Sequence, residues 1–69
     1  MAQIQVMIND EAVVLEAGAT VEAMLSYLHM DAEKIAVERN LEIIPAPEFS
    51  STVLSEGDKI EIVHFIGGG

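Results

Sequence analysis

The sequence contains no cysteine and no tryptophan, and its aromatic content is one tyrosine and two phenylalanines. Disulfides are therefore excluded, and with two histidines and no thiolate a structural zinc site lacks its usual ligands. A chain of 69 residues has room for one core and no second lobe, which leaves no space for a large active-site cleft. Domains of this size bury only about 60% of their unfolded surface, so regular packing must supply the stability. The 51% hydrophobic content fits that demand.

Positive charge is equally scarce. Lys34, Arg39 and Lys59 face twelve acidic residues, giving a net charge of −9, the wrong sign for neutralising phosphates or anionic lipid headgroups. Nucleic acid and membrane surfaces are poor partners for such a chain, and self-repulsion predicts a monomer when free. A basic protein surface is the natural complement, and simple solubility accounts for the charge equally well. No basic residue precedes Lys34, and no apolar run approaches a signal-peptide core or a membrane span. The expectation is a cytoplasmic protein; the absence of thiols agrees with a reducing compartment without requiring one.

What is present reads as a short series of elements. Gln3 to Ile8 alternates, with Ile4, Val6 and Ile8 on one face, as in a half-buried strand. Asn9-Asp10-Glu11 reads as a turn and Ala12 to Glu16 as a second strand, making an antiparallel hairpin. Gly18 punctuates, and Thr20 is placed to cap a helix from Val21 to about His29 whose stripe is Val21, Met24, Leu25 and Leu28. His29 is then a surface or capping residue near the helix end. Ile35 to Arg39 and Leu41 to Ile44 read either as two short strands or as one strand broken at Asn40. Pro45 and Pro47 stop that run, Ala46 to Thr52 reads as loop or a brief helical turn, Val53 and Leu54 return to the core, and Ser55 to Asp58 form a tight turn before a last strand, Lys59 to Ile66. This order of strands around one helix is that of an α+β β-grasp fold, a mixed sheet of four to five strands packed on one amphipathic helix. The expected organisation is a domain over residues 1–66 followed by a flexible glycine tail over residues 67–69.

Two features carry functional information. In the last strand Ile60 and Ile62 share one phase while Lys59, Glu61, Val63 and Phe65 share the other, so the outward face begins charged and ends apolar. Val63 and Phe65 are either exposed for protein docking or, at the strand end, buried under a loop. Beyond Ile66, Gly67-Gly68-Gly69 serve no strand, cap or core. Without β-carbons they could reach roughly 10 Å and thread a narrow channel to present an α-carboxylate; an unselected end is the competing reading.

Order and spacing then bring a resemblance into view. Ile35-Ala-Val-Glu-Arg-Asn-Leu-Glu-Ile-Ile-Pro45, Leu54-Ser-Glu-Gly-Asp58, Lys59-Ile-Glu-Ile-Val-His-Phe-Ile66 and the terminal glycines together resemble the ThiS sulfur carriers of thiamine biosynthesis, over nearly the whole chain. Ala17-Gly-Ala-Thr-Val-Glu-Ala-Met-Leu25 is similar to the helix entry those carriers share with other ubiquitin-like proteins. Where many members of the family carry a basic residue after the proline closing the fourth strand, this chain has Ala46, so a charge contact there would be missing. Gly67 stands where the family often has another small residue.

The resemblance implies a mechanism. A carboxylate resists sulfur nucleophiles because its leaving group would be oxide, so a ThiF-type adenylyltransferase would use ATP and magnesium to convert Gly69 to an acyl-adenylate. A persulfide from a cysteine desulfurase or rhodanese-like donor would then yield a terminal thiocarboxylate, whose sulfur goes to the thiazole synthase ThiG. The chain would be a carrier and co-substrate, not an enzyme, with no catalytic residue, metal ligand or bound cofactor of its own. Gly69 would bear the chemistry, Gly67 and Gly68 provide clearance, and Val63, Phe65 and Ile66 contact the partners. An internal thiol that could compete for the activated terminus is absent.

Three other readings share parts of this pattern. Molybdopterin synthase small subunits resemble the fold and end in two glycines, a ubiquitin-like modifier would form amide conjugates, and a non-carrier β-grasp interaction module would leave the tail inert. An enzyme fits least, since Asp10, Glu11, Glu56 and Asp58 fall in turns and read as solvated charge, with no acid and base set against a cleft.

Overall fold

The alternation from Gln3 to Ile8 produces strand β1 (Gln3–Ile8), which pairs antiparallel with β2 (Glu11–Glu16). In this computed structural model, which describes residues 2–65, Ile4 lies opposite Leu15 and Val6 opposite Val13, so the apolar phases of the two strands share a face. Asn9 and Asp10 alone make the turn, at φ 48° and 68°. Two left-handed residues form the turn whose twist matches a two-residue hairpin, and Asn and Asp tolerate that region well. Glu11, read from sequence as part of the turn, is therefore the first residue of β2.

Gly18, at φ +92°, redirects the chain into helix α1 (Val21–Tyr27). The Thr20 hydroxyl accepts from the Ala23 N–H at 3.1 Å, as a capping threonine should. Val21, Met24 and Leu25 are buried, and Leu28 packs half-buried against the core. The helix is two residues shorter than its apolar stripe predicts. His29 sits at φ 58°, its N–H bonds the Ser26 carbonyl at 3.1 Å and the Met30 N–H bonds the Leu25 carbonyl at 2.9 Å. This is a left-handed termination of the kind glycine usually makes, so His29 ends the helix through its backbone and is exposed.

A 3-10 turn at Ala32–Lys34, capped by the Asp31 carboxylate at 2.9 Å from the Glu33 N–H, leads into β3 (Ile35–Arg39). β4 (Glu42–Ile44) returns antiparallel, which settles the alternative between one broken strand and two. Asn40 and Leu41 make a second left-handed two-residue turn, at φ 50° and 72°. Leu41 is thus a turn residue, 81% exposed, and not the start of a strand. A 3-10 turn at Ala46–Glu48 then seats Phe49 in the core.

The loop after Phe49 closes the start of the helix. The Thr52 and Phe49 carbonyls accept from the Val21 and Glu22 N–H groups at 3.0 Å each, supplying partners that the first helical turn cannot find within itself. Leu54 is buried, whereas Val53, expected beside it in the core, is 51% exposed: adjacent residues of an extended segment point to opposite sides, and Val53 forms a single bridge with Thr20.

β5 (Lys59–His64) completes a five-stranded sheet of order β2-β1-β5-β3-β4, with β1 and β5 parallel and the other neighbours antiparallel. Val6, Val37 and Ile60 from the three central strands meet Met24 and Leu25 of α1 in the core. Both turn asparagines reach across to β5. The Asn9 carboxamide accepts from the Ile62 N–H at 2.7 Å and donates to its carbonyl at 3.1 Å, and Asn40 Oδ1 accepts from the Lys59 N–H at 2.9 Å. Among the described residues no helix is long and apolar enough to cross a membrane.

Candidate functional site

Burying one side of each strand against α1 turns the alternate residues outward. On β5 that set is Lys59, Glu61 and Val63; on β3 it is Ala36 and Glu38. Val63 lies directly opposite Ala36, and Glu61 opposite Glu38. On β4 the outward residue is Ile43, opposite Glu38. The result is an apolar strip with two carboxylates along one border.

The exposure of this strip decides between the two readings of the last strand. Val63 is 60% exposed and Phe65 62% exposed, so Phe65 does not lie under a loop. Its N–H donates to the Lys34 carbonyl at 2.9 Å, which carries the chain one residue past the end of β5 in an orderly path. Ile43, 72% exposed, belongs to the same surface and was not singled out from sequence. Its signal was available: in a three-residue strand, Glu42-Ile43-Ile44, only one of two adjacent isoleucines can face the core.

Phe65, Ala36, Ile43, Pro45 and Phe49 border a shallow depression of about 400 Å³, with Ala46 on its wall. Ala46 is therefore part of this surface. Of the expected contact residues, Val63 and Phe65 are both exposed; Ile66 and the three glycines, Gly67, Gly68 and Gly69, lie outside the described residues.

One carboxylate departs from the sequence reading. Asp58, expected in a solvated turn, is only 6% exposed. Its Oδ2 accepts from Arg39 Nε at 2.9 Å and from the Ser55 N–H at 2.8 Å, and its Oδ1 accepts from Asn40 Nδ2 at 3.1 Å. Burial by itself pushes the Asp58 carboxyl up, but the Ser55, Asn40 and Arg39 hydrogen bonds and the Arg39 charge outweigh it and hold the group below its usual range. With every bond aimed at neighbouring backbone and side chains, Asp58 ties the β3–β4 turn to the start of β5. Asp10, Glu11 and Glu56 are exposed as read. Among the described residues no three His, Asp or Glu side chains cluster as metal ligands.

Comparison with known proteins gives this surface a context. The model of the ThiS family matches residues 1–69. The thiazole synthase of Paramagnetospirillum magneticum is 49% identical over 65 residues, covering 94% of this chain and 20% of that protein, so the chain spans about a fifth of that relative's length. The sulfur carrier protein ThiS of Escherichia coli is 31% identical over 65 residues, 94% of this chain and 98% of the carrier. The crystal structure of a thiamine biosynthesis protein (ThiS) from Geobacter metallireducens superposes with a TM-score of 0.80 at 29% identity, covering 96% of this chain and 100% of that one. A family match over the full sequence, a relative of similar length and a shared five-stranded fold agree: the chain belongs to the ThiS family of ubiquitin-like β-grasp sulfur carriers.

Proposed function

We propose that this chain is a sulfur carrier for assembly of the thiamine thiazole ring, with Gly69 as the residue that is chemically altered. The observation that carries the reading is the extent of the family match, which runs through the three glycines at residues 67–69. The exposed residues Val63, Phe65 and Ile43 support it by offering an apolar contact area near the carboxyl end of β5.

In this scheme a ThiF-type adenylyltransferase binds ATP and magnesium and joins the Gly69 carboxylate to AMP, releasing pyrophosphate. The terminal sulfur of a persulfide, held by a cysteine desulfurase or rhodanese-like protein, attacks the acyl carbon and expels AMP. A second thiol then attacks the donor's cysteine sulfur in the resulting acyl disulfide, forming a disulfide with that cysteine and releasing the thiocarboxylate as the leaving group. Those thiols belong to the partners, since this chain has none. Thiazole synthase of the ThiG type receives the sulfur, and the relatives that bear that name and contain a region similar to this chain favour it as the recipient. The chain acts in the cytoplasm as co-substrate; its own residues hold the sheet, present the strip and offer the carboxylate. Gly67 and Gly68 have no β-carbon to obstruct a narrow channel, and Ile66 joins Val63 and Phe65 in contacting the partners.

The test is incubation with ATP, magnesium, the adenylyltransferase and a persulfide donor, followed by fragment mass spectrometry. Replacement of oxygen by sulfur confined to Gly69 and dependent on ATP is the expected result. Localisation is required because oxidation of Met1, Met7, Met24 or Met30 changes the intact mass by nearly the same amount. An unchanged Gly69 in the presence of a demonstrably active adenylyltransferase would overturn the reading.

A further inference from the structure

The two edges of the sheet are unequally protected. β4 is three residues long and is followed at once by Pro45, which has no N–H to offer a further strand. β2 is six residues long and contains no proline. Its pairing with β1 decides which of its backbone groups are spent. Gln5 and Met7 turn their backbone toward the β5 side, where the Gln5 carbonyl accepts from the Gly57 N–H at 2.8 Å and the Met7 N–H donates to the Asp58 carbonyl at 2.9 Å. Val14 and Ala12, the residues opposite them, therefore turn their N–H and carbonyl groups away from β1. No turn, loop or cap hydrogen bond among the described residues takes up these four groups.

A groove runs beside this edge. Leu15 of β2, Ala19, and Ala23, Met24 and Tyr27 of α1 border a depression of about 300 Å³. Val14 is 50% exposed and Tyr27 62%, so apolar surface is open on both the strand and the helix. A strand added to β2 would stand about 4.7 to 4.9 Å farther out, and its residues opposite Val13 and Leu15 would point to the helix side, into the groove. Its alternate residues, opposite Ala12 and Val14, would share the outer face with Glu16.

Charge selects the occupant. The six charged residues among residues 1–33 are Asp10, Glu11, Glu16, Glu22, Asp31 and Glu33, all acidic, and Glu11 and Glu16 are the two ends of β2. A second copy would bring the same acids edge to edge, which repulsion disfavours. An extended segment that carries cations is attracted to the same place.

We propose that β2 is a strand-addition site: an extended segment of a basic partner protein pairs antiparallel with Ala12 and Val14, sets apolar side chains into the groove between β2 and α1, and carries basic residues on the alternate positions beside Glu16. Main-chain bonds supply affinity, while the groove and the acids supply specificity. The site is on the edge of the sheet remote from β4 and its Ile43, and the inference stands independently of the sulfur-carrier reading.

The test uses the full chain and a synthetic peptide, acetyl-Lys-Val-Lys-Val-Lys-Val-Lys-amide, with two isomers of equal charge: one N-methylated on the backbone of its two middle lysines, the other on two of its valines. Titration calorimetry should show saturable binding of the parent peptide that weakens as salt is added. Antiparallel pairing with the valines inward uses the lysine N–H groups. The lysine-methylated isomer should therefore bind at least about tenfold more weakly than the valine-methylated one, a loss that two hydrogen bonds suffice to produce. In the complex with the parent peptide, amide exchange at Ala12 and Val14 should slow at least about tenfold. Val14→Pro, a substitution an edge strand tolerates where the N–H faces solvent, and Ala23→Leu, which fills the groove from an exposed helix position, should each lose binding and keep the circular dichroism spectrum of the natural chain. If Val14→Pro does not fold, Ala23→Leu and the two isomers decide. Equal affinity of the isomers means adsorption of positive charge onto an acidic chain and overturns the proposal, as does absence of binding or full affinity in Ala23→Leu. Protection of Ala12 and Val14 that grows with the concentration of the chain alone makes a second copy the occupant and overturns it too.

Discussion

Replacing Asp58 by asparagine puts the most tightly bonded side chain of the described structure to a quantitative test. The carboxylate accepts three hydrogen bonds, two at Oδ2 and one at Oδ1. An asparagine has one acceptor oxygen and one NH2. Placing its oxygen toward Arg39 and Ser55 turns its NH2 against the NH2 of Asn40, and the opposite placement turns it against both Arg39 Nε and the Ser55 N–H. Asn40 cannot flip to help, because its oxygen is held by the Lys59 N–H at 2.9 Å. Hydrogen bonds to a charged group contribute about 1.5 to 3 kcal/mol each, and breaking a buried pair from one side costs about 3 to 5 kcal/mol. The Arg39 side chain is 30% exposed and so can rehydrate, which places the expected loss for Asp58→Asn nearer about 2 to 3 kcal/mol. In a domain this small, each kcal/mol shifts Tm by about 4 to 8 °C, so a fall of about 10 to 20 °C should follow.

Urea unfolding followed by circular dichroism at several pH values is the assay. Asp58 is held below its ordinary value of 3.8, so between the folded and unfolded titrations the unfolded chain binds more protons and stability rises with pH. The contribution is complete above the unfolded value and is lost as pH falls through the folded one. The stability gap between the natural chain and Asp58→Asn should therefore be constant near neutrality and narrow below about pH 4. A gap smaller than about 0.5 kcal/mol at neutral pH, or one that widens in acid, would refute the role assigned to this carboxylate.

The other expectations concern single positions. Thr20→Ala removes the cap on Ala23 N–H and should cost about 1 kcal/mol in urea unfolding without altering the far-ultraviolet spectrum of the folded state. Leu41→Gly should stabilise the chain by about 1 kcal/mol, because Leu41 is held at φ 72° with its side chain in solvent; a lower Tm would show that this leucine has a hidden contact. Deleting Gly68 and Gly69 should leave the unfolding curve unchanged and abolish ATP-dependent sulfur incorporation, and retained incorporation would remove Gly69 from the mechanism.

Legibility in the sequence followed the range of the interactions involved. The alternation of β1 and the helical stripe of Val21, Met24, Leu25 and Leu28 are local patterns, and each named the side that faces the core. Thr20 as a cap is also local. The end of α1 was misplaced because histidine seldom takes the left-handed position that stops the helix at His29. Leu41 was read as strand for the same reason: propensity alone assigns a leucine to regular structure, while here the tight return from β3 to β4 imposes the turn. Asp58 shows the other limit. Its sequence neighbours, Glu56 and Gly57, describe a solvated turn, and nothing local announces that Arg39 and Asn40 arrive from the adjoining hairpin to bury it. The docking strip was half visible, since strand phase exposed Val63 and Phe65, but Ile43 joins them only once β4 is laid beside β3.

The central place of β5 has a mechanical consequence. This strand is bonded to β1 on one side and to β3 on the other, and the Asn9 and Asn40 side chains fasten it at two further points. A force applied along β5 from its carboxyl end runs parallel to the strand and strains these bonds together in shear, whereas an edge strand such as β4 could be peeled away one bond at a time. A pull applied at the carboxyl end of β5 would thus load a strand held on both sides, and the strain would be shared across the sheet.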